Sequence, residues 1–264
     1  MRLSTAMLAG LMGISATGCL TPGGPDEGVG AAEGALEDSN AMNLNAMNLN
    51  ALHASALSST ALASLRRPDS EGDLARQLLK YAASCALTAA QFIEIDWIDS
   101  LGVEHLETYW GLMGLEPSWV NAALSETGER WVSACLASRV NWYGAPVLLS
   151  SRGSHQMLSA AGANEAAEFP VIEGAFWGNI FGASPRVFAC HDAANIDHSR
   201  QKLRDCAAGH VEGGDVVECG LIEIVGPCDA HCATSPANGA YFGSCAEDLA
   251  AHGGAEVITV WLPL

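Results

Sequence analysis

The number and placement of cysteines constrain this chain more than any other sequence feature. The 264 residues contain nine cysteines, and the first, Cys19, closes a short apolar N-terminal run. An even number remains, so all of the others can pair, and disulfides persist in exported proteins. We therefore predict eight disulfide-bonded cysteines in an oxidising compartment. They are Cys85, Cys135, Cys190, Cys206, Cys219, Cys228, Cys232 and Cys245.

The N-terminal segment has the pattern of a removable export signal. Arg2 precedes an apolar stretch, residues 3–14, that is too short to cross a bilayer as an ordinary helix. Small residues lead into Cys19 as Ala16-Thr17-Gly18, which is typical of bacterial lipoprotein processing sites. We predict a signal peptide over 1–18 and a lipidated Cys19 whose acyl chains insert into the lipid bilayer. The alternative is an ordinary signal peptide cut elsewhere, and Ala16 stands where such sites usually carry leucine.

The residue after Cys19 indicates where the protein is anchored, and the net charge limits which partners it can bind. An aspartate directly after the lipidated cysteine favours retention at the inner membrane in many bacteria. This chain has Leu20 at that position, so we expect outer-membrane anchoring. The formal net charge of −18 argues against nucleic acid as a partner, because phosphate binding requires cationic side chains. No run of about 18 apolar residues occurs later in the sequence, so no membrane-spanning helix is expected there.

Two segments of biased composition separate the signal from the rest of the chain. Residues 19–39 are rich in Gly, Pro and acidic residues, which predicts a flexible tether. Across 40–65 a unit of small polar residue, Ala, then Leu or Met recurs five times. This period is used by quadrilateral β-helices, but five units make little more than one coil. A low-complexity stalk, or a strand-like cap docked on the next domain, is the alternative.

Residues 69–264 predict one α+β domain. Asp69 and Ser70 can cap a first helix, and a second begins near Ser125 or Thr127 and runs to about Asn141. Alternation from Gln91 to Ile98 indicates a strand. Further strands are expected at 145–151, 186–190, 216–225 and 256–262. The later part of the domain is dense in Gly and Cys, which favours stapling by disulfides.

The cysteines can form disulfides, bind zinc or act as a nucleophile. Cys85 and Cys135 lie on the apolar faces of the two helices, so we expect them to pair; we also favour Cys190 with Cys206 and Cys232 with Cys245. A zinc site could instead use Cys228-x-x-His231-Cys232, with Cys219 and His210 nearby. A cysteine nucleophile would need a neighbouring base. The candidate bases are His155, His191, His198, His210, His231 and His252.

Other candidate sites are weaker. No Gly-x-Ser-x-Gly elbow, His-Glu-x-x-His motif or phosphate-binding glycine loop occurs. Asp192, Asp197 and Asp215 could bind calcium, although their spacing fits no standard loop. The aromatic pairs Trp142-Tyr143 and Phe176-Trp177 could form a platform for sugar rings or peptide, with core packing as the alternative. Arg139 and Asn141 are close enough in sequence to add polar contacts.

Three strings carry a family resemblance: Tyr81-x-x-x-Cys85-Ala-Leu, Arg130-Trp-Val-Ser-Ala-Cys-Leu-x-x-Arg-Val-Asn-x-Tyr-Gly144 and Glu173-Gly-Ala-Phe-Trp-Gly-Asn179. With the Asn-rich repeat before them, the chain resembles uncharacterised exported and lipid-anchored proteins of gliding, predatory soil bacteria. The resemblance covers most of residues 40–264. It implies origin, export and architecture only, and since the family has no established activity, it assigns no residue a catalytic role.

These observations predict an outer-membrane-anchored surface lipoprotein. We expect a non-enzymatic role in binding or scaffolding at the envelope, with a glycan or a protein as the partner and with no cofactor or metal. The alternative is an exported hydrolase, or a lipoprotein toxin transferred between cells.

Overall fold

The computed structural model describes residues 59–158, 161–234, 240–246 and 254–264, and two short strands at 35–36 and 42–43. All of these residues belong to one unit that spans 32–264. The predicted signal peptide, the lipidation site at Cys19 and the greater part of the predicted tether lie outside the described residues.

Six helices occur in the described residues, and the first two long ones begin at caps that the sequence indicates. Asp69 accepts a hydrogen bond from the Gly72 amide, and Ser125 accepts one from the Gly128 amide. None of the described helices is long and apolar enough to cross a membrane. The helices are α1 Ser59–Leu65, α2 Ser70–Ala86, α3 Glu126–Arg139, α4 Ala163–Glu168, α5 Ile196–Gln201 and α6 Cys228–His231, with a 3-10 helix at Pro117–Val120.

The main sheet has six strands in the order β1-β6-β14-β7-β8-β11, and only the last pair is parallel. These strands are β1 Ala35–Leu36, β6 Leu149–Arg152, β7 Val171–Asn179, β8 Arg186–His191, β11 Ile222–Pro227 and β14 Ile258–Leu262. Four smaller pairs complete the description. They are β2 Met42–Asn43 with β5 Val140–Asn141, β3 Phe92–Ile98 with β4 Glu104–Trp110, β9 His210–Glu212 with β10 Asp215–Val217, and β12 Cys232–Thr234 with β13 Phe242–Cys245. The fold is α+β, as predicted.

The core is built in layers around helix α3. This helix packs on β7, β8 and β14, helix α2 packs on α3, and α2 also contacts β4. Neighbouring residues of β7 enter different clusters: Phe176 joins the large core that contains both long helices, whereas Trp177 joins a smaller one that contains four bonded cysteines. Successive side chains of a strand point to opposite faces, so both faces of β7 are covered.

All eight cysteines after Cys19 are bonded, in four pairs. Cys85–Cys135 joins α2 to α3 and Cys232–Cys245 joins β12 to β13, which confirms two predicted pairings. The prediction of Cys190 with Cys206 is wrong. Strand β11 lies parallel to β8 with Gly226 opposite Cys190, which brings the cysteine two residues further along the chain to Cys190. The pairs in this part of the fold are Cys190–Cys228 and Cys206–Cys219.

Two of the predicted strands need correction. The single strand expected at 216–225 is divided between β10 and β11, with Cys219 and its disulfide in the intervening turn. The strand expected at 145–151 is shorter and lies later, at Leu149–Arg152. The strands expected at Gln91–Ile98, 186–190 and 256–262 are present as β3, β8 and β14.

The described parts of the predicted tether and repeat are packed on the domain. Within 19–39, Ala35–Leu36 pairs with β6 at the sheet edge. Within 40–65, β2 pairs with β5, and Met42 is fully buried in the large core. The last repeat unit lies in helix α1, which packs on α2. The remaining repeat residues, 40–41 and 44–58, lie outside the described residues.

Candidate functional site

The two predicted aromatic pairs lie in different environments. Phe176 is fully buried and Trp177 is 4% exposed, so the platform predicted for this pair is not present at the surface. Trp177 packs against Phe188 with ring centroids 5.7 Å apart. By contrast, Tyr143 is 48% exposed and Trp142 is partly buried. The second pair therefore marks the candidate site.

Asn141 fixes the loop that carries Trp142 and Tyr143. Its side-chain Nδ2 donates to the carbonyls of Ala145 and Leu203, at 2.9 and 3.0 Å. Its Oδ1 accepts from the Tyr143 amide at 2.8 Å. One buried amide thus joins the aromatic loop to the loop after α5. Arg139, the other polar candidate, points elsewhere and donates to Ser84 Oγ.

The loop after α5 is held in place by Arg204. This fully buried guanidinium donates to the carbonyls of Ser138 and Val140, at the C-terminal end of α3, and to Glu173 of β7. The disulfide Cys206–Cys219 closes the same region around the β9–β10 pair. The loop can therefore hold its side chains in fixed positions.

Asp205 organises the polar part of the site. Its buried carboxylate accepts hydrogen bonds at Oδ2 from the Tyr143 hydroxyl, at 3.2 Å, and from His210 Nδ1, at 2.6 Å. Its other oxygen, Oδ1, is buried and has no hydrogen-bond partner among the described residues. Desolvation, followed by the charge of Asp205, raises the pKa of the Tyr143 hydroxyl.

The imidazole of His210 is also clamped by aromatic rings. Trp142 stacks on it, with centroids 4.1 Å apart and planes at 12°, and Tyr143 meets it edge-on at 5.6 Å. Because Nδ1 bonds to a carboxylate, Nδ1 carries the hydrogen, and within the described part of the chain no bond occupies Nε2. We call Trp142, Tyr143, Leu203 and His210, with Asp205 behind them, the Tyr143 surface.

Leu203 adds an unusual backbone conformation to this surface. It has φ of 59°, the left-handed region, and no other described residue except glycine has a positive φ. Its side chain is 43% exposed. A bulky residue in this region is strained unless its surroundings hold it, and here Asn141 and the Arg204 ion pair do so on either side.

The chemistry available at the Tyr143 surface is of two kinds. An exposed phenol ring that is fixed by a buried carboxylate offers a rigid, partly apolar contact with little loss of side-chain entropy on binding. An imidazole whose Nδ1 is oriented by a carboxylate can accept a proton at Nε2. No serine, threonine or cysteine side chain bonds to His210 among the residues described.

The disulfides rule out the predicted cysteine zinc site and a nucleophile among the described cysteines. Cys228, Cys232 and Cys219 are all in disulfides, so they cannot supply the thiolates of the predicted zinc site. Two clusters resemble ligand sets, one around Cys190 and one around Asp205, but every sulfur in them belongs to a disulfide. None of the eight described cysteines has a free thiol, and so none of them is a nucleophile.

The remaining candidates do not assemble into a second site. The three aspartates proposed for calcium form no ligand cluster within the described residues, and Asp192 instead caps the Ala194 amide. Of the other possible bases, His198 bonds to the Pro263 carbonyl and burial lowers the pKa of His191. His252 lies outside the described residues.

A Ser-x-x-Lys sequence at Ser199–Lys202 also fails to form a nucleophile and base. Ser199 lies buried inside α5, and the Lys202 ammonium donates to the carbonyl of Leu264. Sequence reasoning missed Asp205 altogether and did not distinguish His210 from five other histidines. Their sequence neighbourhood gives no signal, since Asp205 lies 62 residues from the tyrosine that it holds.

Comparison with known proteins adds nothing to this geometry: no protein-family model, curated protein or solved structure matches the chain.

Proposed function

We propose that this protein is an exported lipoprotein, anchored at the outer membrane through Cys19, whose α+β domain binds an envelope glycan on the Tyr143 surface. The observation that carries the anchoring is the completeness of the disulfides. Eight cysteines form four bonds among themselves, which leaves Cys19 as the ninth, directly after an apolar run and three small residues. A lone thiol in an oxidising compartment is a liability that acylation removes.

A glycan is the ligand that the Tyr143 surface suits best. The Tyr143 ring is about half exposed, and its hydroxyl is held by a carboxylate that cannot turn away because the loop around it is pinned. Sugar rings offer apolar C–H faces to an aromatic ring and hydroxyls to nearby polar atoms. His210 Nε2 is such an atom beside the ring.

The test of binding uses co-sedimentation with purified peptidoglycan sacculi. The wild-type protein is expected to sediment with them, and Tyr143→Ala is expected to remain in the supernatant. Leu221→Ala is the matched control, because Leu221 is similarly exposed, at 44%, and belongs to neither the Tyr143 surface nor the β3–β4 hairpin. Equal sedimentation of wild type and Tyr143→Ala refutes the glycan assignment.

The test of anchoring compares wild type with Cys19→Ala. We expect metabolically supplied palmitate to label only the wild-type protein. We also expect the wild-type protein to be recovered in the outer-membrane fraction. Label on Cys19→Ala would remove Cys19 as the attachment site.

A second candidate, a hydrolase, is favoured by the Asp205–His210 pair alone. An imidazole oriented by a carboxylate at 2.6 Å is the arrangement of a general base, which here would act on water. If this is the function, wild-type protein releases soluble fragments from sacculi over time, and His210→Gln binds sacculi without releasing them. Binding without release in both proteins supports the non-enzymatic role.

A further inference from the structure

The β3–β4 hairpin exposes an unusual amount of apolar surface. Seven of the fourteen exposed large apolar side chains in the described residues lie between positions 92 and 112. Ile98, Leu106 and Trp110 are 53%, 69% and 57% exposed. A cluster of exposed apolar side chains often marks an interaction surface.

The register of the hairpin places these side chains on one face. Phe92 lies opposite Trp110, with ring centroids 4.8 Å apart, and Ile98 lies opposite Glu104. The alternate residues Ile93, Ile95 and Tyr109 are buried on the other face, in the core that contains α2. The outer hairpin face is therefore the side turned away from the domain; it consists of Phe92, Glu94, Asp96, Ile98, Glu104, Leu106, Thr108 and Trp110.

The hairpin also has backbone edges on which no further described strand lies, although the Asp96 carbonyl of β3 accepts a hydrogen bond from Arg66 Nε at 3.1 Å. Among the described residues β3 pairs only with β4, and β4 only with β3. Natural proteins protect such edges by covering or charging them, and an extended partner can pair with an edge that stays open. The outer hairpin face and its edges thus suit a polypeptide segment.

The charge of this region specifies the partner further. No lysine or arginine occurs between Lys80 and Arg130, whereas acidic residues recur throughout that stretch. On the outer hairpin face Asp96 is paired with Arg66, but Glu94 and Glu104 form no ion pair within the part of the chain described. Two uncompensated carboxylates beside apolar side chains favour a partner that is apolar and cationic.

We propose that the outer hairpin face docks a cationic, amphipathic polypeptide segment of another protein. The apolar side chains of that segment pack on Phe92, Leu106 and Trp110, and its cations approach Glu94 and Glu104. A second copy of this chain is disfavoured, because face-to-face packing would bring like carboxylates together. An anionic lipid surface is disfavoured for the same reason. This inference does not depend on the Tyr143 surface, so either can fail alone.

The probe is a fluorescein-labelled synthetic peptide of alternating valine and lysine, added to the purified full chain and followed by fluorescence anisotropy. We expect saturable binding that weakens as salt rises. The same peptide with glutamate in place of lysine, and one with serine in place of valine, are not expected to bind. Binding of the glutamate peptide, or no binding of the lysine peptide, would overturn the proposal.

Three variants locate the binding. Leu106→Ser should weaken it by about tenfold or more, the size typical of losing an important interface contact. Glu94→Gln with Glu104→Gln should weaken it and flatten its salt dependence. Val216→Ser is the matched control, since Val216 is 61% exposed on the β9–β10 hairpin. If Val216→Ser weakens binding as much as Leu106→Ser, the face is not the site.

Two further measurements address the other occupants. Sedimentation velocity that detects a wild-type dimer lost in Leu106→Ser would replace the proposal with self-association. Flotation with phosphatidylglycerol vesicles that is lost in Leu106→Ser, with no peptide binding, would replace it with a membrane contact. Because Leu106 is exposed, an unchanged thermal unfolding curve is expected for Leu106→Ser, which separates loss of binding from loss of fold.

Discussion

Arg204 and Glu173 form a fully buried ion pair, with Nη2 and Nε of the arginine 3.1 and 3.2 Å from the same carboxylate oxygen. The pair links the loop that carries Asp205 to Glu173, the third residue of β7. Burial raises the pKa of the Glu173 carboxyl, and the charge of Arg204 opposes that rise. The position of the Tyr143 surface therefore depends on two charges that are stable only together.

Arg204→Met is expected to be strongly destabilising. It leaves Glu173 buried without a counter-charge and removes the donors to two carbonyls at the end of α3, a loss of about 3–5 kcal/mol. Urea unfolding measures it. The double variant Arg204→Met with Glu173→Met is expected to lose less than Arg204→Met alone. A double variant that is less stable than the single one would show that the ion pair is not the reason.

The disulfides are expected to contribute unequally. Cys85–Cys135 closes a loop of 50 residues and Cys206–Cys219 closes one of 13. Replacing each pair by alanine should lower the free energy of unfolding by about 4 and about 3 kcal/mol, because the longer loop restrains the unfolded chain more. Unfolding under non-reducing conditions gives the comparison, and a larger loss for the shorter loop would contradict it.

Leu203→Asn is expected to stabilise the protein. Asparagine tolerates a positive φ, which costs other L-residues roughly 1 kcal/mol or more, and the Leu203 side chain is largely at the surface. The urea midpoint should rise. The matched control is Leu221→Asn, since Leu221 is 44% exposed but has no positive φ. A rise in both variants would attribute the gain to surface polarity and not to the backbone.

The charge of Asp69 is expected to stabilise the domain above acidic pH. The hydrogen bond from Arg67, followed by that from the Gly72 amide, lowers the pKa of Asp69 from 3.8 to about 2. A lowered pKa contributes stability that is present above the unfolded-state value and is lost as the pH falls through the folded-state value.

Asp69→Asn isolates this effect, because asparagine also caps helices well. The wild type should be more stable than Asp69→Asn at neutral pH, and the difference should shrink between pH 3.8 and about 2. Unfolding free energies across this range measure it. A difference that stays constant with pH would assign the effect to the cap geometry and not to charge.

Much of the fold follows from local sequence signals. The caps at Asp69 and Ser125 and the apolar faces of α2 and α3 predict both helices and the bond that joins them. Alternation in β3 predicts its buried and exposed faces. The Cys190–Cys228 bond was missed because it depends on β8 lying beside β11, a long-range pairing without a local signal.

Only part of the candidate site could be predicted from the sequence. Trp142 and Tyr143 stand out as an aromatic pair after a helix, but so do Phe176 and Trp177, which β7 distributes to two covered faces. Which pair reaches the surface depends on packing. The contribution of Asp205 and His210 depends on the bonds of Asn141 to Leu203 and of Arg204 to Ser138, which join residues more than 60 positions apart.

The intact mass of the protein recovered from the outer membrane, before and after reduction, tests the central claim most directly. We predict a chain that begins at Cys19 and carries acyl groups. No thiol should titrate before reduction, and full reduction should add the mass of two hydrogens for each of the four disulfides. An unacylated chain that begins upstream of Cys19, or native protein with several titratable thiols, would contradict the account.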